Sequence, residues 1–367
     1  MEIKLKTGIL KLKENQDLFN LTGFSSRINK KRGFLFISKV LGKHIPCKPS
    51  IMEKNYIELA KKLSHISNIK NKPTIVIGFA ETATALGNGV FEKLALEKAF
   101  YIHTTRYKTN SKFLADFKEE HSHAPSQYLY CPNSVELQEI MNSAENIILV
   151  DDEFTTGKTI NNIVEKLKIT LPNVKNYYFV SILNWIKNLN TDNYFSLYKD
   201  EFDFESFDIE VDNSIISEMQ EEKNLTAIIP YNFGRFGIKN LNYDFENFML
   251  KNNINLTELQ DKKILILGTA EFMYLPYVFA LFLEKKGVNV YYQSTTRSPI
   301  NIDIDILSKI TFKDNYYENI DNFVYNVIDK SYDKVFVCYE TTSIPLEHSL
   351  LKQLRDFFEV KELFFME

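Results

Sequence analysis

Short, strongly apolar runs alternate with amphipathic segments through the first half of the chain. The apolar runs are rich in β-branched residues, which favour buried strands, and the segments between them carry apolar residues at helical spacing. Strands are predicted at 73–79, 100–104, 146–150 and 177–183, and helices at 50–69, 91–99, 134–142 and 158–169. Strands that alternate with helices at this spacing indicate an α/β fold, a parallel sheet with flanking helices.

The alternation breaks off at 187–224, a polar, acidic and aromatic stretch without a clear period that we interpret as a connection. It then resumes, with strands predicted at 225–230, 262–268, 288–294 and 333–340. A chain of 367 residues is long for a single hydrophobic core, so two domains are expected. We predict an N-terminal domain at 1–215 and a second, smaller α/β domain at 225–367.

Composition narrows the classes of function only a little. A formal net charge of −4 argues against wholesale nucleic-acid binding, which normally needs a basic domain or stripe. The three cysteines are far apart and lack metal-ligand spacing, as expected in a reducing compartment. The N-terminus lacks the apolar core of a signal peptide, and no stretch approaches the roughly 20 apolar residues of a membrane span. We expect a cytoplasmic protein that binds neither nucleic acid nor membrane.

The most informative segment follows the strand at 146–150. Asp151 and Asp152 come directly after its last apolar residue, and a hydroxyl-rich turn then opens the next helix. That turn contains Thr155, Thr156, Gly157, Lys158 and Thr159. Ligands of parallel α/β sheets bind beyond the carboxyl ends of the strands, and the N–H groups at a helix N-terminus favour phosphate. One short loop therefore supplies a pair of acids and an anion-binding turn.

Two other interpretations fit parts of this loop. Gly157, Lys158 and Thr159 spell the end of a nucleoside-triphosphate P-loop, but that motif needs a glycine where this chain has Asp152. A carboxylate there would repel the phosphates, so we reject the P-loop. The second interpretation, a helix with an acidic and threonine-rich N-terminal cap and no ligand, stays open.

The segment resembles the signature of type I phosphoribosyltransferases that binds phosphoribosyl pyrophosphate (PRPP), an apolar strand followed by two acids and a Thr/Gly loop. The resemblance implies that Asp151 and Asp152 contact the ribose hydroxyls and that the turn at 155–159 holds the 5-phosphate. Many members have a small or apolar residue after the acids. This chain has Glu153 there, to which the resemblance gives no role.

Two further segments occupy places that this family gives to pyrophosphate. The turn after the first central strand corresponds to the pyrophosphate loop and contains Ala80, Glu81, Thr82, Ala83 and Thr84. Arg106 follows the next strand, and its planar fork suits phosphate oxygens, although an arginine at a strand end is often only an ion-pair partner. The resemblance also implies Mg²⁺, bound through pyrophosphate and ribose, because Mg²⁺ prefers phosphate oxygens and water to a protein cage.

The polar segment at 108–126 is too long for an ordinary connection. The resemblance makes it a mobile loop that closes over the reaction centre, where His121 and His123 would act on the leaving pyrophosphate or on the base. The same histidines lie beside Glu119 and Glu120, and could instead bind a metal or simply be solvated.

A more specific resemblance rests on four segments taken together. GFSSRINKKRGFLFISKVLGKHIP, HTTRY, EEHSHA and STTRSP resemble an orotate-phosphoribosyltransferase-like family that carries a C-terminal TRSP domain. Members are predicted in bacterial tellurite-resistance and stress-response gene clusters, which implies a part in making a nucleoside-like metabolite. The resemblance leaves the acceptor base open.

The second half of the chain has two polar turns, after the strands at 262–268 and 288–294. Their candidate site residues are Gly268, Thr269 and Glu271 in the first turn and Thr296, Arg297 and Ser298 in the second. The first turn lacks the spacing of a dinucleotide-binding loop. The second could bind an anion or be a capped turn held by Arg297. If both are functional, they lie at the carboxyl ends of neighbouring strands and could form one pocket.

These segments together predict an enzyme that transfers ribose 5-phosphate from PRPP to a nitrogen base or base-like acceptor and releases pyrophosphate, with Mg²⁺ as cofactor. Its predicted catalytic residues are Asp151, Asp152, Arg106, His121 and His123. The first alternative is a non-catalytic regulator of the same fold that binds PRPP or a nucleotide. The second is a phosphate-ester hydrolase that uses Asp151. Assembly as a homodimer is compatible with each of them.

Overall fold

The computed structural model describes residues 1–27, 32–118, 126–187, 192–207 and 229–365. The strands are β1 (Glu2–Leu5), β2 (Gly8–Leu12), β3 (Thr22–Ser26), β4 (Phe34–Ser38), β5 (Thr74–Gly78), β6 (Ala99–His103), β7 (Phe113–Lys118), β8 (Ser126–Tyr130), β9 (Asn146–Phe154), β10 (Asn176–Asn184), β11 (Tyr194–Lys199), β12 (Phe202–Ser206), β13 (Lys263–Gly268), β14 (Asn289–Ser294), β15 (Lys309–Lys313), β16 (Asp321–Tyr325), β17 (Lys334–Tyr339) and β18 (Glu359–Phe364). The helices are α1 (Gln16–Leu21), α2 (Pro49–Leu63), α3 (Ser67–Asn71), α4 (Thr84–Leu94), α5 (Val135–Asn142), α6 (Lys158–Thr170), α7 (Phe245–Lys251), α8 (Tyr274–Lys285) and α9 (Leu350–Arg355), with a 3-10 turn at Thr257–Leu259.

The N-terminal half is built on a five-stranded sheet in the order β11-β10-β9-β5-β6, in which all neighbouring strands are parallel. Alternate residues of β5 enter two different cores, because successive side chains of a strand point to opposite faces. Val76 packs in a core that contains residues of α2 and α4, whereas Ile75 and Ile77 pack in a core that contains residues of α5 and α6. The predicted α/β class, a parallel sheet with helices on its faces, is confirmed.

The strand that carries the two acids is longer than predicted. β9 continues through Phe154, and Asp151 pairs with Ser181 of β10. The neighbouring β5 ends at Gly78, opposite Val150. The acids therefore lie in the last residues of a strand that extends past its neighbour, at the carboxyl edge of the sheet.

The helix predicted at 91–99 instead spans Thr84–Leu94, so both of its predicted bounds were wrong. Gly87 and Gly89, which precede the predicted start, permit close packing of α4 against its neighbours. A Cβ on Gly87 would lie 2.8 Å from the Cα of Gly78, and one on Gly89 would lie 2.1 Å from Cδ2 of Tyr56. These glycines bring α4 close to β5 and α2.

The prediction of an irregular connection at 187–224 was also wrong, because β11 and β12 lie within it. β11 extends the central sheet, and β12 pairs with β2 in a three-stranded antiparallel sheet of order β1-β2-β12. Most residues of β11 are only partly buried and most residues of β12 are exposed, so neither has the continuous apolar run of a central strand. Most of the strand predicted at 225–230 lies outside the described residues.

The C-terminal half has a four-stranded parallel sheet of order β14-β13-β17-β18, beside the antiparallel pair β15–β16. The strands predicted at 262–268, 288–294 and 333–340 are confirmed to within one residue at each end. This half is the second α/β region that the sequence predicts.

The two halves are in extensive contact. Bridges between backbone segments join Arg27 to Ile300 and Cys47 to Tyr292, and one hydrophobic core contains residues of both sheets. The predicted boundaries at 215 and 225 stay a prediction, because residues 208–228 lie outside the described residues. None of the helices described is both long enough and apolar enough to cross a membrane.

Candidate active site

The end of β9 and the start of α6 bring the two acids beside a helix N-terminus. Gly157 caps the helix with φ +74°, a left-handed conformation that glycine adopts without steric cost. The carboxylate of Asp151 accepts a hydrogen bond of 2.9 Å from the N–H of Asp152. Both acids are partly exposed, and Thr156 and Lys158 are exposed. The predicted 5-phosphate turn at 155–159 is therefore accessible to a ligand.

Glu153, to which the family resemblance assigns no role, forms an ion pair with Arg32. One guanidinium nitrogen of Arg32 lies 2.8 Å from each carboxylate oxygen. Burial raises the pKa of the Glu153 carboxyl, and the positive charge of Arg32 acts in the opposite direction. The guanidinium also lies 4.8 Å above the ring of Phe34. Glu153 thus fastens the start of β4 to the end of β9.

The predicted pyrophosphate loop follows β5 and is fixed at both of its ends. The N–H of Ala80 donates to the hydroxyl of Thr104 at 2.8 Å, and the Ala80–Glu81 peptide bond is cis. At the other end, Ala83 and Thr84 are buried, and the hydroxyl of Thr84 donates to the carbonyl of Glu271 at 3.1 Å. Glu81 and Thr82, in the middle of the loop, are partly exposed.

Glu81 is contacted by two residues from distant parts of the chain, by the ammonium of Lys43 and by the backbone N–H of Arg297. The ammonium of Lys43 is completely buried and lies 2.5 Å from the carboxylate of Glu81 and 2.9 Å from the carbonyl of Ala270. Burial lowers the pKa of the Lys43 ammonium, and the carboxylates of Glu81, Glu271 and Asp152 act in the opposite direction. The backbone N–H of Arg297 lies 3.4 Å from the other carboxylate oxygen of Glu81.

Glu271, a predicted site residue of the second half, lies in a buried network instead of an open pocket. Its carboxylate accepts hydrogen bonds from the N–H of Arg106 at 2.6 Å and the hydroxyl of Thr105 at 2.7 Å. Arg235 lies 2.9 Å from both Glu271 and Glu340. Burial acts to raise the pKa of Glu271, but Arg235 and the hydrogen bonds hold it below its usual value. Arg106 is therefore positioned through its backbone by the second half.

The sequence missed Arg235, Glu340 and Lys43 as members of this network. Arg235 and Glu340 are less than 3% exposed, and Lys43 is completely buried. They are far apart along the chain, and no local motif joins them to Glu271. A local sequence signal was lacking because Arg235 meets Glu271 and Glu340 only through the packing of the second half, and Lys43 meets Ala270 only where the two halves are in contact.

The other predicted site residues of the second half lie near the buried network around Glu271. Gly268 and Thr269 are buried at the end of β13, and the hydroxyl of Thr269 donates to the carbonyl of Cys338 at 3.0 Å. Thr296 is buried after β14, and its hydroxyl accepts a hydrogen bond of 3.1 Å from the N–H of Ser298. The guanidinium of Arg297 lies 4.3 Å above the ring of Tyr107. Tyr107 directly follows Arg106 in the chain.

The polar segment at 108–126 contains part of an antiparallel hairpin, β7 and β8. The hairpin is joined to the end of β6 by a bridge between Thr105 and Tyr128. His121 and His123 lie outside the described residues, so their roles stay predictions. In the part of the chain that the structure describes, no group of three or more His, Cys, Asp or Glu residues is placed to hold a metal ion.

Two family models match this chain. One, described as a phosphoribosyl transferase (PRTase_2), matches residues 21–209, which is more than half of the chain. The other, described as the TRSP domain C-terminal to PRTase_2, matches residues 232–354. A search of curated proteins gives no match.

Among solved structures, the chain is similar to adenine phosphoribosyltransferase from Giardia lamblia in complex with 9-deazaadenine, with 15% identity, 50% of this chain and 97% of that chain covered, and a TM-score of 0.35. A second is adenine phosphoribosyltransferase from Trypanosoma brucei in complex with AMP, pyrophosphate and ribose 5-phosphate, with 13% identity, coverage of 48% and 71%, and a TM-score of 0.33. A third is a hypoxanthine phosphoribosyltransferase from Staphylococcus aureus, with 15% identity, coverage of 44% and 79%, and a TM-score of 0.29. At these identities and scores, the likeness carries no residue-level correspondence.

Proposed function

Because the chain belongs to the PRTase_2 family of phosphoribosyl transferases, we propose that it transfers ribose 5-phosphate from PRPP to a nitrogen base or base-like acceptor and releases pyrophosphate. The observation that carries this proposal is the edge of the central sheet, where Asp151 and Asp152 end β9 beside the N-terminus of α6. The product would be nucleotide-like, in keeping with the nucleoside-like metabolite that the resemblance implies.

In this proposal the ribose 5-phosphate lies along the end of β9. Asp151 and Asp152 accept hydrogen bonds from the ribose hydroxyls, because ionised carboxylates are acceptors only. The 5-phosphate binds at the turn 155–159, where the helix dipole and the first N–H groups of α6 favour an anion. Gly157 has no side chain to block the backbone, and Thr155, Thr156 and Thr159 add hydroxyl donors.

The same acids have a role in the reaction. The ribose ring gains positive charge as pyrophosphate leaves, and two carboxylates held beside it stabilise that charge. The turn after β5 then lies on the side of the departing pyrophosphate, with Arg106 beyond it at the end of β6. Bound Mg²⁺ would neutralise charge on the leaving group. The residues present fit an ion held largely by PRPP oxygens, because the acids form a pair and not a cage.

Pyrophosphate release from PRPP, with magnesium and a library of candidate bases, tests this proposal. We expect release that depends on one class of base, with the nucleotide-like product identified by mass spectrometry. Release of phosphate from simple esters without PRPP would instead support a hydrolase. PRPP binding without turnover with any base would support a regulator.

The variant Asp152→Asn gives the test at the site itself. Removal of one electrostatic partner of a transition state typically costs about a hundredfold or more in turnover, and we expect a loss of that size here without unfolding. Asp203→Asn is the matched control, because Asp203 is an exposed acid of β12, and it should leave turnover unchanged. Near-normal turnover in Asp152→Asn would exclude the proposed role of the acids.

A further inference from the structure

Residues from both halves meet at what we term the junction, which consists of Lys43, Glu81, Tyr107, Arg297 and Glu318. The guanidinium of Arg297 stacks on Tyr107, and one of its terminal nitrogens lies 3.2 Å from the carboxylate of Glu318. The side chain of Arg297 is only 10% exposed. A buried, permanently charged arginine is thus placed directly beside the predicted pyrophosphate loop.

Two buried polar atoms of the junction have no hydrogen-bond partner among the described residues. They are Nε of Arg297 and the hydroxyl of Tyr107, whose ring is completely buried between Arg297 and Tyr316. Glu81 Oε1 also lacks a hydrogen bond, but it is ion-paired with Lys43 at 2.5 Å. Buried polar groups are almost always hydrogen-bonded, and an unsatisfied one costs about 1–3 kcal/mol. A ligand that accepts hydrogen bonds would remove that cost.

The position of the junction indicates which part of PRPP would lie there. Glu81 follows β5 and Tyr107 follows β6, so the junction lies beyond β5, on the side away from β10. It is nevertheless near the proposed ribose site, because β5 ends at Gly78 opposite Val150, the residue before Asp151. In the proposed function, this is the side from which pyrophosphate departs.

We propose that Arg297, carried by the C-terminal half, binds the pyrophosphate group of PRPP in the same chain, and that Glu318 holds its guanidinium when pyrophosphate is absent. This inference rests on the proposed function. It assigns pyrophosphate binding to the turn after β14, which contains Arg297. The Nε edge of a guanidinium offers two parallel donors that match two phosphate oxygens. Here Nε is buried without a hydrogen-bond partner among the described residues, and the carboxylate of Glu318 accepts from the terminal nitrogen Nη2.

Calorimetry on the full-length chain separates the two ligand groups, with inorganic pyrophosphate plus magnesium as one probe and ribose 5-phosphate as the other. Arg297→Gln should weaken pyrophosphate binding by roughly tenfold to a hundredfold, the value of hydrogen bonds to a charged group. Ribose 5-phosphate binding should not change. Glu318→Gln should act in the opposite direction and tighten pyrophosphate binding by about threefold, because it removes a competitor for the arginine.

The two variants are expected to change pyrophosphate affinity in opposite directions, so the inference can be tested even if one of them folds poorly. If Arg297→Gln is unfolded in a thermal scan, Glu318→Gln decides, and unchanged or weaker pyrophosphate binding would overturn the inference. A folded Arg297→Gln with normal pyrophosphate binding, or with equal losses for both probes, would overturn it as well. If the wild-type chain binds ribose 5-phosphate but not pyrophosphate, this inference fails and the 5-phosphate site stands. If it binds neither, the proposed function fails too.

Discussion

The carboxyl edges of the two parallel sheets look alike in sequence and differ in structure. At the first edge, Asp151 and Asp152 are partly exposed and precede an exposed turn at 155–159. At the second edge, Thr269 and Glu271 are buried and bond to other protein groups. The comparison shows that polar residues at a strand end can serve contacts within the protein, so a polar strand end in an α/β sheet does not by itself mark a ligand site.

The second edge uses its polar groups to hold the first edge in place. Glu271 binds the segment after β6 through Thr105 and Arg106, and its carbonyl accepts from Thr84 at the start of α4. The carbonyl of Ala270 accepts from Lys43, which pairs with Glu81. The C-terminal half thus contacts one end of the predicted pyrophosphate loop at Thr84, reaches Glu81 through Lys43, and positions the backbone of Arg106 after β6.

The largest expected effect distinguishes the buried edge from the open one. Arg235→Met leaves Glu271 and Glu340 buried without their cation, and breaking such a pair typically costs about 3–5 kcal/mol. Asp151→Asn, at the open edge, should change the free energy of unfolding by less than about 1 kcal/mol. Urea unfolding of both variants measures the difference. Equal losses would mean that the two edges are built alike.

A second prediction separates backbone conformation from ligand binding. Gly157→Ala puts a Cβ on a residue with φ +74° and should cost about 1–2 kcal/mol of stability. Gly287→Ala is the matched control, since Gly287 has φ +92° and open space around it. Both variants should lose similar stability, but only Gly157→Ala should weaken ribose 5-phosphate binding. Equal affinity in both would remove Gly157 from the site.

The smallest effect is a pH dependence at the buried edge. Arg235 holds the pKa of Glu271 below its usual value, so ionised Glu271 contributes stability above its unfolded pKa and loses it as the pH falls through the lower, folded pKa. The free energy of unfolding of the wild-type chain should therefore fall more steeply below about pH 4 than that of Glu271→Gln. Parallel pH profiles would contradict the assigned charge state.

Much of the first edge could be predicted because its signals are local. The buried strands β5 and β9 are short β-branched runs, and the acids, the glycine and the threonines of the 151–159 segment are consecutive. Local signals failed where tertiary packing, and not the local pattern, decides the structure. Gly87 and Gly89 lie before the predicted start of the helix at 91–99 and instead allow close packing of α4. The partly buried β11 and the mostly exposed β12 have no continuous apolar run.

The contact between the halves was not predictable in this way. Lys43, Glu81 and Arg297 lie in three separate segments, and each in isolation is an ordinary charged residue. The sequence indicated only that the turns after β13 and β14, if both are functional, could form one pocket. It could not show that they face the pyrophosphate loop, because that depends on how one sheet packs against the other.

In the proposed function, one sugar phosphate binds between the end of β9 and the start of α6. A crystal structure of the full-length chain with ribose 5-phosphate tests it directly. We predict the phosphate within hydrogen-bond distance of the N–H groups at 157–159 and the ribose hydroxyls at the carboxylates of Asp151 and Asp152. A phosphate bound elsewhere, or an empty site at saturating ligand, would contradict the account.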